Sequence, residues 1–120
     1  MKIAVTSQSE ELSSGIDPRF GRAKWLLLMD TQTGLSEAHD NAVNLNLVQG
    51  AGIQTGQNVV NLGAEAVITG NIGPNAFKTL NAANVKVFLS KANTVQEAIG
   101  SFMAGELDEV KQANVEGHWS

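Results

Sequence analysis

Both arginines of this 120-residue chain lie in one short segment, Asp17-Pro18-Arg19-Phe20-Gly21-Arg22. A guanidinium group is a planar fork of N–H donors, which suits large anions whose charge is delocalised. Arg19, Phe20 and Arg22 are therefore candidate residues of an anion-binding site. A simpler alternative is a surface ion pair of Asp17 with one of the arginines, worth about 0–1 kcal/mol.

Two glycine-containing segments are candidates for binding the same anion through backbone N–H groups. Thr69-Gly70-Asn71-Ile72-Gly73-Pro74 connects a predicted strand to a predicted helix, and its glycines permit a turn that aims N–H groups at a ligand. Gly50-Ala51-Gly52 opens another predicted helix, whose N-terminus attracts anions. The alternatives are an ordinary tight turn and the close packing of a helix against a strand. The candidate site residues in these segments are Gly50, Gly52, Gly70, Asn71, Ile72 and Gly73.

Common nucleotide-binding and catalytic motifs are absent from the sequence. Gly50, Gly52 and Gly56 are spaced one residue too widely for the dinucleotide-binding fingerprint, and no phosphate-binding G-x-x-x-x-G-K-[ST] motif occurs. No G-x-S-x-G nucleophile motif is present, and the first strand has no acidic residue for a two-metal site. His39 and His118 have no partner at metal-ligand spacing, so no side chain is predicted to ligate a metal. The sequence predicts a binding protein and not an enzyme.

Charge and composition limit the partners and the compartment. The net charge of −4 argues against a general nucleic-acid binder, which would carry a basic face. The chain has no cysteine, which excludes disulfides, thiolate catalysis and clusters ligated by cysteine. No apolar run approaches the roughly 18 residues of a membrane span, and the first residues turn polar at once. We therefore expect a cytoplasmic protein without membrane contacts.

Hydrophobic periodicity predicts the elements that position these segments. Strands are predicted at 2–6, 23–30, 35–40, 64–69 and 85–89, and helices at 50–62, 74–83 and 95–102. The last helix follows a capping box, Thr94-Val95-Gln96-Glu97, and its apolar residues recur on one face. Residues 103–120 contain four acidic residues and one lysine, which predicts a loosely held acidic tail after a domain at 1–102.

The order of these elements predicts an α/β fold. Alternation of strands and helices in the second half implies parallel strands with right-handed crossovers. The strands at 23–30 and 35–40 are joined by a short turn containing Gly34, so they are predicted to form a hairpin. The hairpin places one antiparallel strand in the otherwise parallel sheet. The expected architecture is a five-stranded mixed sheet flanked by helices. Ligands of such sheets bind at the C-terminal ends of the parallel strands.

Four segments carry a family resemblance: Met1-Lys2-Ile3-Ala4-Val5-Thr6, residues 17–22, Gly50-Ala51-Gly52 and Thr69-Gly70-x-x-Gly73-Pro74-x-Ala76-Phe77. In order and spacing they are similar to the dinitrogenase iron–molybdenum cofactor biosynthesis family, over residues 1–102. The resemblance implies a three-layer, ribonuclease H-like fold without ribonuclease chemistry. It also implies that residues 1–102 bind a metal–sulfur cluster, and that a Min/ParA-type P-loop ATPase is a partner.

The resemblance has a more specific implication for the ligand. Other family members carry a histidine or cysteine that can touch a cluster, whereas this chain has no cysteine. That lack, together with the ending Gly117-His118-Trp119, is most similar to a member that carries a molybdenum–copper sulfide cluster without covalent bonds. Such a cluster needs no protein thiolate, because inorganic sulfide completes its coordination.

A binding site for an anion whose surface is sulfide requires positive charge, N–H donors and a partly apolar wall. Arg19 and Arg22 are candidates for the charge, the glycine turns for the donors, and Phe20, Ile72 and Phe77 for the wall. The sequence and the resemblance together predict a non-enzymatic carrier of a molybdenum–copper sulfide cluster. The alternatives are a carrier of an iron–molybdenum cofactor precursor or another molybdenum- or iron–sulfur cluster, and an adaptor for the P-loop ATPase.

Overall fold

Six strands and three α-helices follow one another along residues 1–41 and 50–116, which are the residues that the computed structural model describes. A short 3-10 helix, Phe20–Arg22, lies in the loop between the first two strands. The elements are β1 (Lys2–Ser7), β2 (Trp25–Asp30), β3 (Ser36–Asp40), α1 (Ala51–Asn61), β4 (Ala66–Thr69), α2 (Pro74–Ala82), β5 (Lys86–Leu89), α3 (Val95–Met103) and β6 (Glu109–Val110). The asparagine-rich stretch 41–49, which the sequence predicts to be irregular, lies outside the described residues except for Asn41, and so does the ending 117–120.

The strands form one mixed sheet in the order β3-β2-β1-β4-β5-β6. Strands β1, β4 and β5 are parallel, with Val5 opposite Ile68 and Ile68 opposite Phe88. Strand β2 is antiparallel to both β1 and β3, which confirms the predicted hairpin. The parallel pairing of β4 with β1 and with β5 confirms the parallel second half. The mixed α/β sheet flanked by helices is thus confirmed, while the ribonuclease H-like classification stays a prediction.

The predicted number of five strands is wrong, because β6 adds a sixth strand within the described residues. Glu109 and Val110 pair antiparallel with β5. Val110 also packs against an apolar cluster of the sheet. A strand of two residues has no periodicity to read, so it forms only because β5 offers an unpaired edge. Residues 109–110 therefore belong to the sheet, while the acidic tail at 103–120 stays a prediction.

Alternation along the strands separates two apolar faces, which makes the domain three layers thick. On one face, Val67 lies in a cluster with Val59 of α1 and Leu80 of α2. On the other face, Val5 lies in a cluster with Ile99 of α3. Full burial of such a side chain contributes about 1.5–3 kcal/mol. The two clusters hold the sheet between the helices.

The helix ends follow the capping signals of the sequence. Thr94 Oγ1 accepts a hydrogen bond from Glu97 N at 3.1 Å, which confirms the predicted start of α3. Gly63 follows α1 with φ of +81°, a conformation that favours glycine at a helix C-terminus. Gly50 precedes α1 with φ of +82°. These local signals place both ends of α1 and the beginning of α3.

Candidate ligand site at the ends of the parallel strands

The loops that follow β1 and β4 lie side by side. Arg19 and Asn71 form an isolated parallel bridge, in which Phe20 N donates to Asn71 O at 3.3 Å. The side-chain amide Nδ2 of Asn71 donates to Pro18 O at 3.0 Å. The structure thus brings two of the three predicted segments together at one edge of the sheet. The role of their residues in binding a ligand stays a prediction.

Two buried threonines anchor this loop pair to the strand ends. Thr6 and Thr69 are fully buried, and Thr6 Oγ1 lies 2.8 Å from Thr69 Oγ1 and 2.8 Å from Asp17 O. A carbonyl can only accept, so both contacts are satisfied when Thr6 donates to Asp17 O and Thr69 donates to Thr6. Asp17 N in turn donates to Thr6 O. Leaving one of these buried groups without a partner costs about 1–3 kcal/mol, which holds the loop against the sheet.

The third predicted segment, at the start of α1, borders the arginine loop. Thr55 Oγ1 donates to Gly21 O at 3.4 Å and accepts from Asn41 Nδ2 at 3.0 Å. The same Asn41 amide donates to Ala23 O at 2.9 Å. Asn41 and Thr55 are both fully buried. The 3-10 helix that ends with Arg22 is therefore held against α1 by a buried polar network.

The two glycines of that third segment have different surroundings. Gly50 is exposed at the N-terminus of α1, whereas Gly52 is buried inside the helix. Gly50 therefore presents backbone to the surface, and Gly52 serves the packing of α1. This distinction follows from one residue lying before the first helical turn and the other within it.

The predicted apolar wall requires a correction. Phe20 and Ile72 are fully buried in the cluster beneath α1 and α2, so they present no surface to a ligand. Their side chains instead hold the two loops from the inside. Gly73 is also buried, and Phe77 is half-buried against the same cluster. Of the three wall candidates, Phe77 alone keeps partial exposure.

A pocket of about 240 Å³ opens beside the loop pair. Its position is at the C-terminal ends of β1, β4 and β5, where ligands bind in open α/β sheets. Pockets for drug-sized ligands hold about 300–1,000 Å³, so this one suits a small ligand or one that stays partly exposed. The lining residues are Ile16, Pro18, Gly70, Asn71, Ser90, Lys91 and Ala92.

Lys91 is a candidate binding residue that the sequence analysis missed. Its side chain is exposed at the pocket, and it has no ion-pair partner in the described part of the chain. Ser90 N donates to Thr69 O at 2.9 Å, and Ala92 N donates to Ser90 Oγ at 3.1 Å, which places the loop after β5 beside the loop after β4. The sequence feature that could have identified Lys91 is its position just after a predicted parallel strand.

Asp17 is the acidic residue nearest the arginines in sequence, and burial raises the pKa of its carboxyl above the ordinary value. Backbone N–H groups of Arg19 and Lys24 donate to this carboxyl, and the charges of both residues favour its ionised form, but desolvation is the larger effect. The bond from Arg19 N to Asp17 Oδ1 is 3.1 Å long. Asp17 therefore shapes the turn that presents Arg19.

The described residues also bear on two other roles, which are metal ligation by side chains and insertion into a membrane. Across 1–41 and 50–116, no group of three or more histidine, aspartate or glutamate side chains could hold a metal ion. His39 lies on β3 and bonds Glu37 at 3.0 Å, away from the pocket, while His118 is outside the described ranges. The helices within those ranges are all too short or too polar to cross a membrane.

A three-layer α/β sheet with a pocket at its strand ends, lined by Lys91 but by neither arginine, is an architecture typical of small ligand-binding domains. The family model described as dinitrogenase iron-molybdenum cofactor matches residues 1–105. The chain belongs to this family. The resemblance inferred from the four sequence segments is thereby confirmed.

Solved structures of relatives show the same architecture. The apo form of the orange protein from Desulfovibrio gigas is 36% identical, with 95% of this chain and 96% of that chain covered and a TM-score of 0.92. A NifB-like protein from Thermotoga is 39% identical, with 97% and 98% covered and a TM-score of 0.84. In a comparison of sequences alone, an uncharacterised protein of Methanocaldococcus jannaschii is 27% identical over 111 residues, which is 91% of each chain.

Proposed function

We propose that this protein is a non-enzymatic carrier of an anionic metal–sulfide cluster, held without covalent bonds at the ends of β1, β4 and β5. The observation that carries the proposal is the pairing of the Arg19 loop with the Asn71 loop beside a pocket that Lys91 borders. Membership of the iron–molybdenum cofactor family and similarity to the orange protein support a cluster as the ligand.

The donor set fits a cluster whose surface is already sulfur. The chain has no cysteine, so the ligand must bring its own sulfide. Micromolar affinity requires about 8 kcal/mol, and one helix N-terminus contributes only about 0.3–1 kcal/mol. Charge-assisted hydrogen bonds contribute about 1.5–3 kcal/mol each. Arg19, Arg22 and Lys91 are therefore the side chains on which retention depends most.

The finer composition that we propose is a molybdenum–copper sulfide. It agrees with the absence of cysteine and with the 36% identity to the orange protein. A precursor of the iron–molybdenum cofactor is the second candidate, because the description of the family names that cofactor. The role as adaptor for a Min/ParA-type ATPase stays an alternative prediction.

The test is uptake of tetrathiomolybdate with copper by the purified protein, followed by gel filtration. We expect the visible absorption and the metals to travel with the parent protein. The double variant Arg19→Ala/Arg22→Ala should lose both signals while its circular dichroism is unchanged. Lys2→Ala/Lys86→Ala is the matched control, because it removes two cations at the N-terminal starts of β1 and β5. Equal retention by both double variants would refute the site.

A further inference from the structure

The side chain of Asn114 connects the C-terminal part of the chain to the candidate site. Its Oδ1 accepts from Ile72 N at 2.7 Å, and its own backbone N donates to Ile72 O at 3.1 Å. Its Nδ2 donates to Asn71 Oδ1 at 3.0 Å. Asn71 passes the chain of hydrogen bonds on, because its Nδ2 donates to Pro18 O. A continuous path therefore leads from Asn114 to the residue before Arg19.

This path fixes the orientation of the Asn71 amide. The carboxamide has one donating and one accepting end, and each end is used on a different loop. The donating end meets Pro18 O and the accepting end meets Asn114 Nδ2. Without Asn114, one end of the amide loses its partner and the side chain is less restrained. Asn71 lines the pocket, so its orientation bears directly on the ligand.

The segment that carries Asn114, residues 109–116, is attached through a short strand and through the polar contacts of Asn114 and Val115 with residues 71–72. Strand β6 pairs through two residues only, and the ion pair of Lys111 with Glu109 lies within the segment itself. Asn114 is exposed, whereas Val110 is half-buried against the sheet. Segments with few buried apolar contacts and exposed hydrogen bonds open at low free energy. The segment can therefore detach while the core of the fold persists.

We propose that Asn114 is a positioning residue of the ligand site, which makes retention of the ligand depend on the attachment of residues 109–116. Bound to Ile72 and Asn71, it holds the loop after β4 against the arginine loop, so that the donors are arranged before the ligand arrives. When the segment detaches, the loops separate and the ligand leaves. This inference rests on the proposed carrier function, and it provides such a carrier with a means of release.

The experiment measures release of tetrathiomolybdate–copper from the loaded full-length protein, monitored by visible absorption after dilution into a scavenger. We expect Asn114→Ala to release the probe about tenfold faster than the parent, the loss typical of one hydrogen bond. Gln112→Ala is the matched control, because Gln112 is an exposed amide in the same segment. It should release the probe at the rate of the parent.

Amide hydrogen exchange provides a readout that a merely structural role would not move. In the loaded parent, the amides of Asn114 and Val115 should exchange more slowly than in the unloaded protein, because coupling between two sites is reciprocal. The amide of Val67 in the core should be unaffected. Equal release rates for the parent and Asn114→Ala, or no added protection at Asn114, would overturn this proposal alone. A parent that takes up no probe would overturn the carrier function, and this proposal with it.

Discussion

Gly70 lies so close to Pro18 that a Cβ atom on Gly70 would stand 2.7 Å from Pro18 Cα. The obstacle is backbone and not the end of a flexible side chain, so one of the two loops must move to admit any side chain. The hydrogen bond from Asn71 Nδ2 to Pro18 O depends on the same approach. A glycine at position 70 is therefore the condition for the loops of the site to meet.

Gly70→Ala should accordingly separate the two loops. We expect a loss of about 1–3 kcal/mol in the free energy of unfolding, as for other overpacked sites, and a loss of cluster retention. Urea denaturation and gel filtration of the loaded protein measure the two effects. Gly100→Ala is the control, since a Cβ there meets nothing within 4 Å and alanine favours a helix interior by about 0.5–1 kcal/mol. A stable, fully loaded Gly70→Ala protein would contradict this account.

Lys91→Ala should weaken binding of tetrathiomolybdate–copper by about tenfold, which corresponds to about 1.4 kcal/mol. The reason is that Lys91 places an ammonium at the pocket without an ion pair in the described part of the chain. Lys86→Ala removes the same charge at the opposite end of β5 and should bind as the parent does. Equilibrium titration at low and at physiological salt makes the comparison. Equal affinities of the two variants would exclude Lys91 from the site.

Asp17→Asn should change the pH dependence of stability. Burial raises the pKa of Asp17 in the folded protein, so the stability contributed by its protonated form is present below the ordinary pKa and is lost as pH rises through the folded pKa. Asparagine keeps the Oδ1 acceptor for Arg19 N but does not ionise. We therefore expect the variant to gain stability relative to the parent as pH rises from about 3 to 7. Urea denaturation over that range tests this sign.

The same substitution should tighten binding of an anion at neutral pH, because it removes a negative charge beside Arg19. Asp30→Asn is the matched control: Asp30 Oδ1 accepts from Gln32 N at 2.9 Å, which is the same local turn as at Asp17, at the other end of β1. It should leave the affinity unchanged. Weaker binding by Asp17→Asn would show that the carboxylate helps the site.

Thr94→Ala should lower the free energy of unfolding by about 1 kcal/mol, the usual value of a helix N-cap. Thr94 Oγ1 is the acceptor for Glu97 N at the start of α3. Thr94→Ser retains the hydroxyl and should recover most of the loss. Because α3 packs on the face of the sheet that lies away from α1 and α2, cluster retention should not change. Thermal unfolding with a loading assay separates stability from binding.

Much of the fold was predictable because its signals are local. The capping box at Thr94 depends on residues three positions apart, and the structure confirms it. Gly63, which ends α1 with a positive φ, is a signal of the same local kind. The hairpin of β2 and β3 and the parallel second half follow from the order of the elements. The sixth strand was not predictable, because two residues acquire strand geometry only by pairing with β5.

The candidate site was predictable in part for the same reason. The arginine pair and the glycine turn at residue 70 can be recognised in the sequence from their residue types. Their positions after predicted strands indicate that they lie at the C-terminal ends of the parallel strands. Burial was not visible, so Phe20 and Ile72 were expected at the surface and lie in the core. Lys91 carries no motif, and only its place after β5 brings it to the pocket.

The sequence by itself determined a cysteine-free chain with both arginines in one loop, and hence the prediction of a site that binds through charge and N–H donors. Tertiary structure alone decided that Lys91 borders this site and that Asn114 forms a hydrogen bond with Ile72, 42 residues earlier in the chain. The physical reason is the sequence separation of the contacting residues. Helix caps and turns are determined by residues that are neighbours in the chain. Contacts between distant residues form only when the sheet brings its strand ends together.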